Sequence, residues 1–108
     1  VRVYVPTTLD GLARLRDEGR LPADLDRYAA DDASEEAEYA ALVAAAVDSA
    51  ALAGGGRRVV VVAELADPDG AVPLRDVVAV HADESAGADP EDDLGWFATQ
   101  EIGALLGG

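Results

Sequence analysis

Hydrophobic positions alternate at the start of the chain. Val1, Val3 and Val5 are separated by Arg2 and Tyr4, the period of a strand with one apolar face. Pro6 is expected to end that strand. Thr7 then stands as a helix cap, with Asp10 three residues on. Leu9, Leu12, Ala13 and Leu15 recur at helical spacing, and Gly19 supplies a C-terminal cap. Gly11 inside this helix costs about 1 kcal/mol relative to Ala. Leu21 to Asp26, with Pro22 inside it, reads as a connector, and Arg27 to Ala30 as a short second strand.

The clearest periodic segment follows. Asp31, Asp32 and Ser34 offer caps for a helix over Ala33–Ala53, and Glu35, Glu36 and Glu38 sit where the helix dipole favours anions. Its apolar stripe is expected to be Tyr39, Val43, Ala46, Val47 and Ala50. Gly54-Gly55-Gly56 stops it. Val59–Leu65 is a nearly unbroken β-branched run, the pattern of a strand buried on both faces. Asp67-Pro68-Asp69-Gly70 centres a turn, and Asp76–Ala82 returns as the second arm of a long-looped hairpin. Asp83–Asp93 is an exposed acidic loop. In the tail, Leu94, Trp96 and Ala98 alternate as in a strand, while Leu94, Phe97, Ala98, Ile102 and Leu105 fit a helix. The reading adopted is a strand to Ala98, then a helix capped by Thr99 with Glu101 in its first turn.

The order strand–helix–strand–helix–strand–strand–strand–helix predicts one α+β domain over 1–108. The expected form is a two-layer sandwich. It has a mixed four- to five-stranded sheet with helices packed mainly on one face, and a ferredoxin-like plan is the nearest common arrangement.

Charge narrows the function classes. The chain has 22 acidic and 8 basic residues, every basic one an Arg, for a net charge of −14. Such a surface repels phosphate backbones and anionic membranes, so neither nucleic acid nor membrane is an expected partner. A protein partner or self-association is. Drift in a high-GC genome and adaptation to a salty cytoplasm both account for acidity without Lys. With no Cys, disulfides and thiolate chemistry are excluded. No apolar run approaches the roughly 20 residues a membrane helix needs, and the opening residues carry no signal-peptide pattern, so a cytoplasmic location is expected.

Chemistry-bearing motifs are sparse. Gly54-Gly55-Gly56 precedes a strand and not a helix, the wrong context for a phosphate loop. Asp67-Pro68-Asp69-Gly70 starts like a calcium loop, but Val72 and Val78 stand where Gly and Glu are required. The acids of 83–93 read as a solvated loop, and neither metal nor cofactor is expected. His81 is the only His, so it titrates nearest neutrality. With Asp83 and Glu84 it forms a candidate acid–base group, although Ser34, Ser49 and Ser85 lie in poor contexts for a nucleophile. Candidate ligand contacts are Arg2 and Tyr4, which point away from the Val face, together with Tyr28, Trp96 and Glu101. Leu94 to Ile102 is similar to a segment near the end of many Nudix hydrolases, but the glutamate-rich metal box of those enzymes has no counterpart here.

Three segments carry a wider likeness. They are Arg2-Val3-Tyr4-Val5-Pro6-Thr7-Thr8-Leu9, Val77-Val78-Ala79-Val80-His81-Ala82-Asp83 and Trp96-Phe97-Ala98-Thr99-Gln100-Glu101-Ile102. Together with the composition they resemble a family of small uncharacterised actinobacterial proteins, a domain of unknown function. That resemblance implies a compact cytoplasmic domain and favours the genome-drift account of the acidity. It transfers no functional residue. Two function classes follow: a non-catalytic domain that binds a protein or small ligand, and an acid–base hydrolase built on His81 and neighbouring carboxylates.

Overall fold

The computed structural model describes residues 1–30 and 32–107. Asp31, one of the three expected caps, lies outside the described residues. The elements in chain order are β1 (Arg2–Thr7), α1 (Leu9–Glu18), β2 (Arg20–Leu21), β3 (Tyr28–Ala29), α2 (Glu35–Ala53), β4 (Val59–Glu64), β5 (Val72–Pro73), β6 (Val77–Ala82), β7 (Gly95–Phe97) and α3 (Ile102–Leu105). Five strands form one sheet in the order β3-β1-β4-β6-β7, and β2 and β5 form a separate two-stranded ladder. Helices and sheet together make an α+β fold. Every pairing is antiparallel. β3 and β4, joined through α2, run parallel with β1 between them, the split βαβ unit on which a ferredoxin-like plan is built, whereas β1 and β3, joined through α1, pair directly, so only one such unit is present.

Layering also departs from the expectation, because helices cover both faces of the sheet. Val3, Val5, Val59, Val61 and Val80 pack with Leu12 and Leu15 of α1 and with Ile102 and Leu105 of α3. Tyr4, Val60, Val62 and Ala79 pack with Ala41, Ala45 and Ala46 of α2. The cause lies in the strands. β4 is buried from Val59 to Ala63, as its unbroken apolar run predicts, and a strand apolar on both faces needs cover on both. The result is three layers with the sheet in the middle.

Local details correct several sequence readings. β1 continues through Pro6 to Thr7, with Pro6 opposite Val60. Beyond Tyr4 the β3 side of β1 is an open edge, where strands tolerate proline. The α1 cap is Thr8 and not Thr7, its hydroxyl accepting from the Gly11 amide at 3.2 Å. Gly11 itself has a structural reason: a Cβ there would stand 1.9 Å from the Thr7 hydroxyl. Gly19 ends α1 in the left-handed region at φ 78°, as a C-terminal glycine does. α2 begins at Glu35, capped by Ser34, whose hydroxyl accepts from the Ala37 amide. The expected second arm starts at Val77, because Leu74–Asp76 is a short 3-10 turn. A bulge near Val62 and Ala63 then leaves Val78 as an extra residue of β6. In the tail, Thr99–Glu101 is a 3-10 turn before α3. Glu101 accepts from the Ala98 amide at 2.7 Å, while the Thr99 hydroxyl donates to the Val77 carbonyl and caps nothing.

Arginines hold the connections. Arg27 donates to the carbonyls of Pro22, Ala23, Leu25, Pro68 and Gly70, tying the loop before β3 to the turn before β5. A planar guanidinium with five donors suits that task in a way an ammonium does not.

Candidate functional site

Of the expected α2 stripe, Ala46 is buried against the sheet, but its large members Tyr39, Val43 and Val47 face solvent. Tyr39, Val43 and Val47 are 58%, 43% and 65% exposed, while Ala41, Ala45 and Ser49 are buried against the sheet. The sheet beneath already presents Tyr4, Val60 and Val62, so only a row of small residues lets the helix backbone come close. Ser49 fixes the approach: its hydroxyl donates to the Thr7 carbonyl at 2.7 Å and accepts from the Val59 amide at 2.7 Å. This bridges β1 and β4 where their pairing ends. Burial of one serine hydroxyl therefore decides which side of α2 meets the core and which meets solvent.

Across from the outer side of α2 lies the loop after β6, and one buried ion pair holds it. Arg58 and Asp83 are paired in a two-pronged contact, Nε to Oδ2 at 2.8 Å and Nη2 to Oδ1 at 2.7 Å. Their side chains are 7% and 4% exposed. The Arg58 amide adds a third bond to Oδ2 at 2.9 Å. The guanidinium also donates to the carbonyls of Asp89, Pro90 and Asp92. Hydrogen bonds from Arg58 hold the Asp83 carboxyl below the usual carboxylate range. With the loop so anchored, a cleft of about 330 Å³ runs between it and α2. Tyr39, Val43, Val47 and Leu94 supply its apolar surface, and Glu91 and Asp93 stand among its acidic lining.

The residues marked in the sequence fall into separate places. Arg2, Tyr4, His81 and Trp96 come together, with Glu35, Glu38 and Val78, in an open hollow of about 430 Å³ on the other flank of α2. Tyr39 and Leu42 line both the cleft and this hollow. Arg2 is held by Glu64 at 3.1 Å and Glu38 at 3.5 Å. Tyr4 is buried. Trp96 stands across from His81 on the neighbouring strand and is 63% exposed. Burial lowers the His81 pKa, and no hydrogen bond orients its ring among the described residues. Tyr28 lies elsewhere, its hydroxyl donating to Asp48 of α2 at 2.5 Å, and Glu101 sits at its capping contact. Asp83 and Glu84 line a different hollow from His81, with Ser85 and Asp92. Asp83 is moreover committed to Arg58. His81, Asp83 and Glu84 thus do not converge on one point. Among the described residues no three acidic or histidine side chains gather at metal-holding distance, and no helix is long and apolar enough to cross a membrane.

A family model for DUF6912, described as a family of unknown function, matches residues 1–106. The chain belongs to that family. No curated protein and no solved structure matches it. The DUF6912 match spans every element of the fold, so the helix face and the anchored loop lie within the family domain.

Sequence reasoning passed over Val43, Val47, Leu94 and Arg58 as site residues. A signal for the first two exists. Ala41, Ala45 and Ser49 form a second stripe four residues apart, made of side chains small enough to sit on a crowded sheet. Arg58 carries a signal as well: it is the second of two adjacent arginines and directly abuts a doubly buried strand, with an acidic loop following the next strand.

Proposed function

We propose that this DUF6912 domain is a non-catalytic binding module that takes a protein partner on the outer face of α2. The observation that carries this reading is the contiguous exposed stripe Tyr39, Val43 and Val47, placed beside a loop that a buried ion pair holds at a fixed distance. Single exposed apolar side chains are ordinary on protein surfaces, but a contiguous patch rimmed by polar groups is the mark of an interaction site. The partner is a different protein and not a second copy, since two chains of net charge −14 repel each other. The same acidity disfavours nucleic acid. A cytoplasmic, actinobacterial setting is part of the proposal, on the strength of the Lys-free, Ala-, Gly- and Arg-rich composition. The acid–base reading has less behind it: among the described residues no hydrogen bond orients His81, and Asp83 and Glu84 line a different hollow.

The test is reconstitution. Proteins retained by the immobilised domain from the source organism are identified, purified and titrated against it by calorimetry. Val43→Ser with Val47→Ser is expected to weaken the reconstituted complex by at least about tenfold, in keeping with loss of central apolar anchors. Arg16→Ala, on exposed α1, is expected to leave it unchanged. Equal affinities for the native and Val-to-Ser domains would overturn the reading.

A further inference from the structure

We infer that the segment docking on α2 is a basic amphipathic helix of about three to four turns, an inference that rests on the binding-face reading above. The floor of the cleft runs from Tyr39 to Ala50, about 16 Å along the helix axis at 1.5 Å per residue. Its large side chains recur four residues apart in a straight ridge. A ridge of that spacing is complementary to the grooves of a second helix packed alongside it. The cleft volume of about 330 Å³ suits the anchoring side chains of such a helix, with its backbone lying above.

Charge selects the partner's sign. α2 carries Glu35, Glu36, Glu38 and Asp48 and no basic residue. The facing loop carries Glu91, Asp92 and Asp93. The single cation lining the cleft, Arg58, is buried and already neutralised by Asp83. The outcome is an apolar floor on α2 facing one acidic wall, the loop with Glu91, Asp92 and Asp93, and among the described residues no unpaired cation lines the cleft. Lys or Arg beside an apolar stripe answers that acidic wall, and an acidic helix is repelled by it. Arg58 acts here as a positioning residue: it fixes the loop before any partner arrives, which reduces the ordering cost of binding.

Three labelled synthetic peptides of equal length and helicity test this, each titrated by fluorescence anisotropy and by NMR shifts of the full chain. The first has Leu at helical spacing with Lys on the polar face, the second the same Leu positions with Glu, and the third the first composition with its apolar positions scattered. The first is expected to saturate, with shifts confined to α2 and residues 90–94. The other two are expected to bind at least about tenfold more weakly. Replacing Glu91, Asp92 and Asp93 by Gln, Asn and Asn should weaken the first peptide several-fold and flatten its salt dependence, as the exposed carboxylates should not affect folding. Equal binding of the basic and acidic peptides, or of the ordered and scattered ones, would overturn the inference. So would shifts centred on the β7 edge. If all three peptides fail while the reconstituted partner still depends on Val43 and Val47, the helix chemistry is wrong and the binding face stands. If the partner is indifferent to those two valines, the binding face itself fails.

Discussion

The two faces of the central sheet are built from similar apolar strands but closed in opposite ways. On one face, Leu12 and Leu15 of α1 and Ile102 and Leu105 of α3 reach down onto Val3, Val5, Val59 and Val61, and the large side chains point inward. On the other, α2 lies on the sheet through Ala41, Ala45, Ala46 and Ser49 and turns Tyr39, Val43 and Val47 to solvent. Burying such side chains fully is worth about 1.5–3 kcal/mol each, so the second face leaves stabilisation unused that the first face takes. The difference teaches where this fold keeps its stability and where it keeps a surface available. The buried Arg58–Asp83 pair belongs to the second story: it contributes little net stability for its desolvation, and it holds an acidic loop beside the exposed stripe.

Breaking that pair should have the largest effect. Asp83→Ala leaves Arg58 buried without its counter-charge and is expected to cost about 3–5 kcal/mol. Urea denaturation would measure the loss, and amide exchange should show the 89–93 backbone losing protection in the same variant. The Asp83 carboxyl has its pKa lowered by Arg58, so its contribution is present above the unfolded value and is lost as pH falls through the lowered folded one. Wild type should therefore lose this contribution at acid pH, while Asp83→Asn shows no corresponding decline.

The sealed face comes next. Leu15, fully buried under α1, should cost about 2–5 kcal/mol when cut to Ala. On the α2 side the sensitive change runs the other way. Ala45→Leu forces a larger side chain between helix and sheet and should cost about 1–3 kcal/mol. A tolerated Ala45→Leu, judged by an unchanged denaturation midpoint, would mean that α2 does not need its small residues.

His81 gives a smaller, pH-dependent effect. Burial lowers its pKa from about 6.5, so the unfolded chain takes up the proton first as the pH falls. Its contribution is whole above pH of about 6.5, declines as the pH drops toward the folded value and levels off beneath it. The difference in stability between wild type and His81→Gln should change across that window and be flat above it. A difference that grows as the pH falls would show that the imidazolium finds an anionic partner in the open hollow.

Much of the sheet was legible in the chain, and particular residues show why. Val59–Leu65 has no polar position before Glu64, so a doubly buried strand followed directly. Gly19 and Gly54 have no side chain to oppose a left-handed turn, so both helix ends could be placed. The two-residue strands β2 and β5 could not be read, because two paired residues leave no period and the connections beside them are tied by Arg27 reaching the distant carbonyls of Pro68 and Gly70. The site was harder to read for a different reason. Hydrophobic periodicity finds a stripe but not the side of the helix that packs, and here the decision rests on the room beneath α2 and on the bonds of Ser49. Alternation places Arg2, Tyr4 and His81 on one side of the sheet and the structure lines one hollow with them, but that side is covered by α2, Tyr4 is buried there and Tyr28 lies apart. Asp83 was legible as an acid in a loop, but its pairing with Arg58 joins residues 25 positions apart and left no local trace.

The large side chains on the outer face of α2 do not hold the fold together. A triple variant, Tyr39→Ser, Val43→Ser and Val47→Ser, tests it in a single urea denaturation against wild type. The expected unfolding free energy is within about 0.5–1 kcal/mol of wild type with an unchanged denaturant slope, as for surface positions. A loss of several kcal/mol would place those residues in the core and remove the binding face.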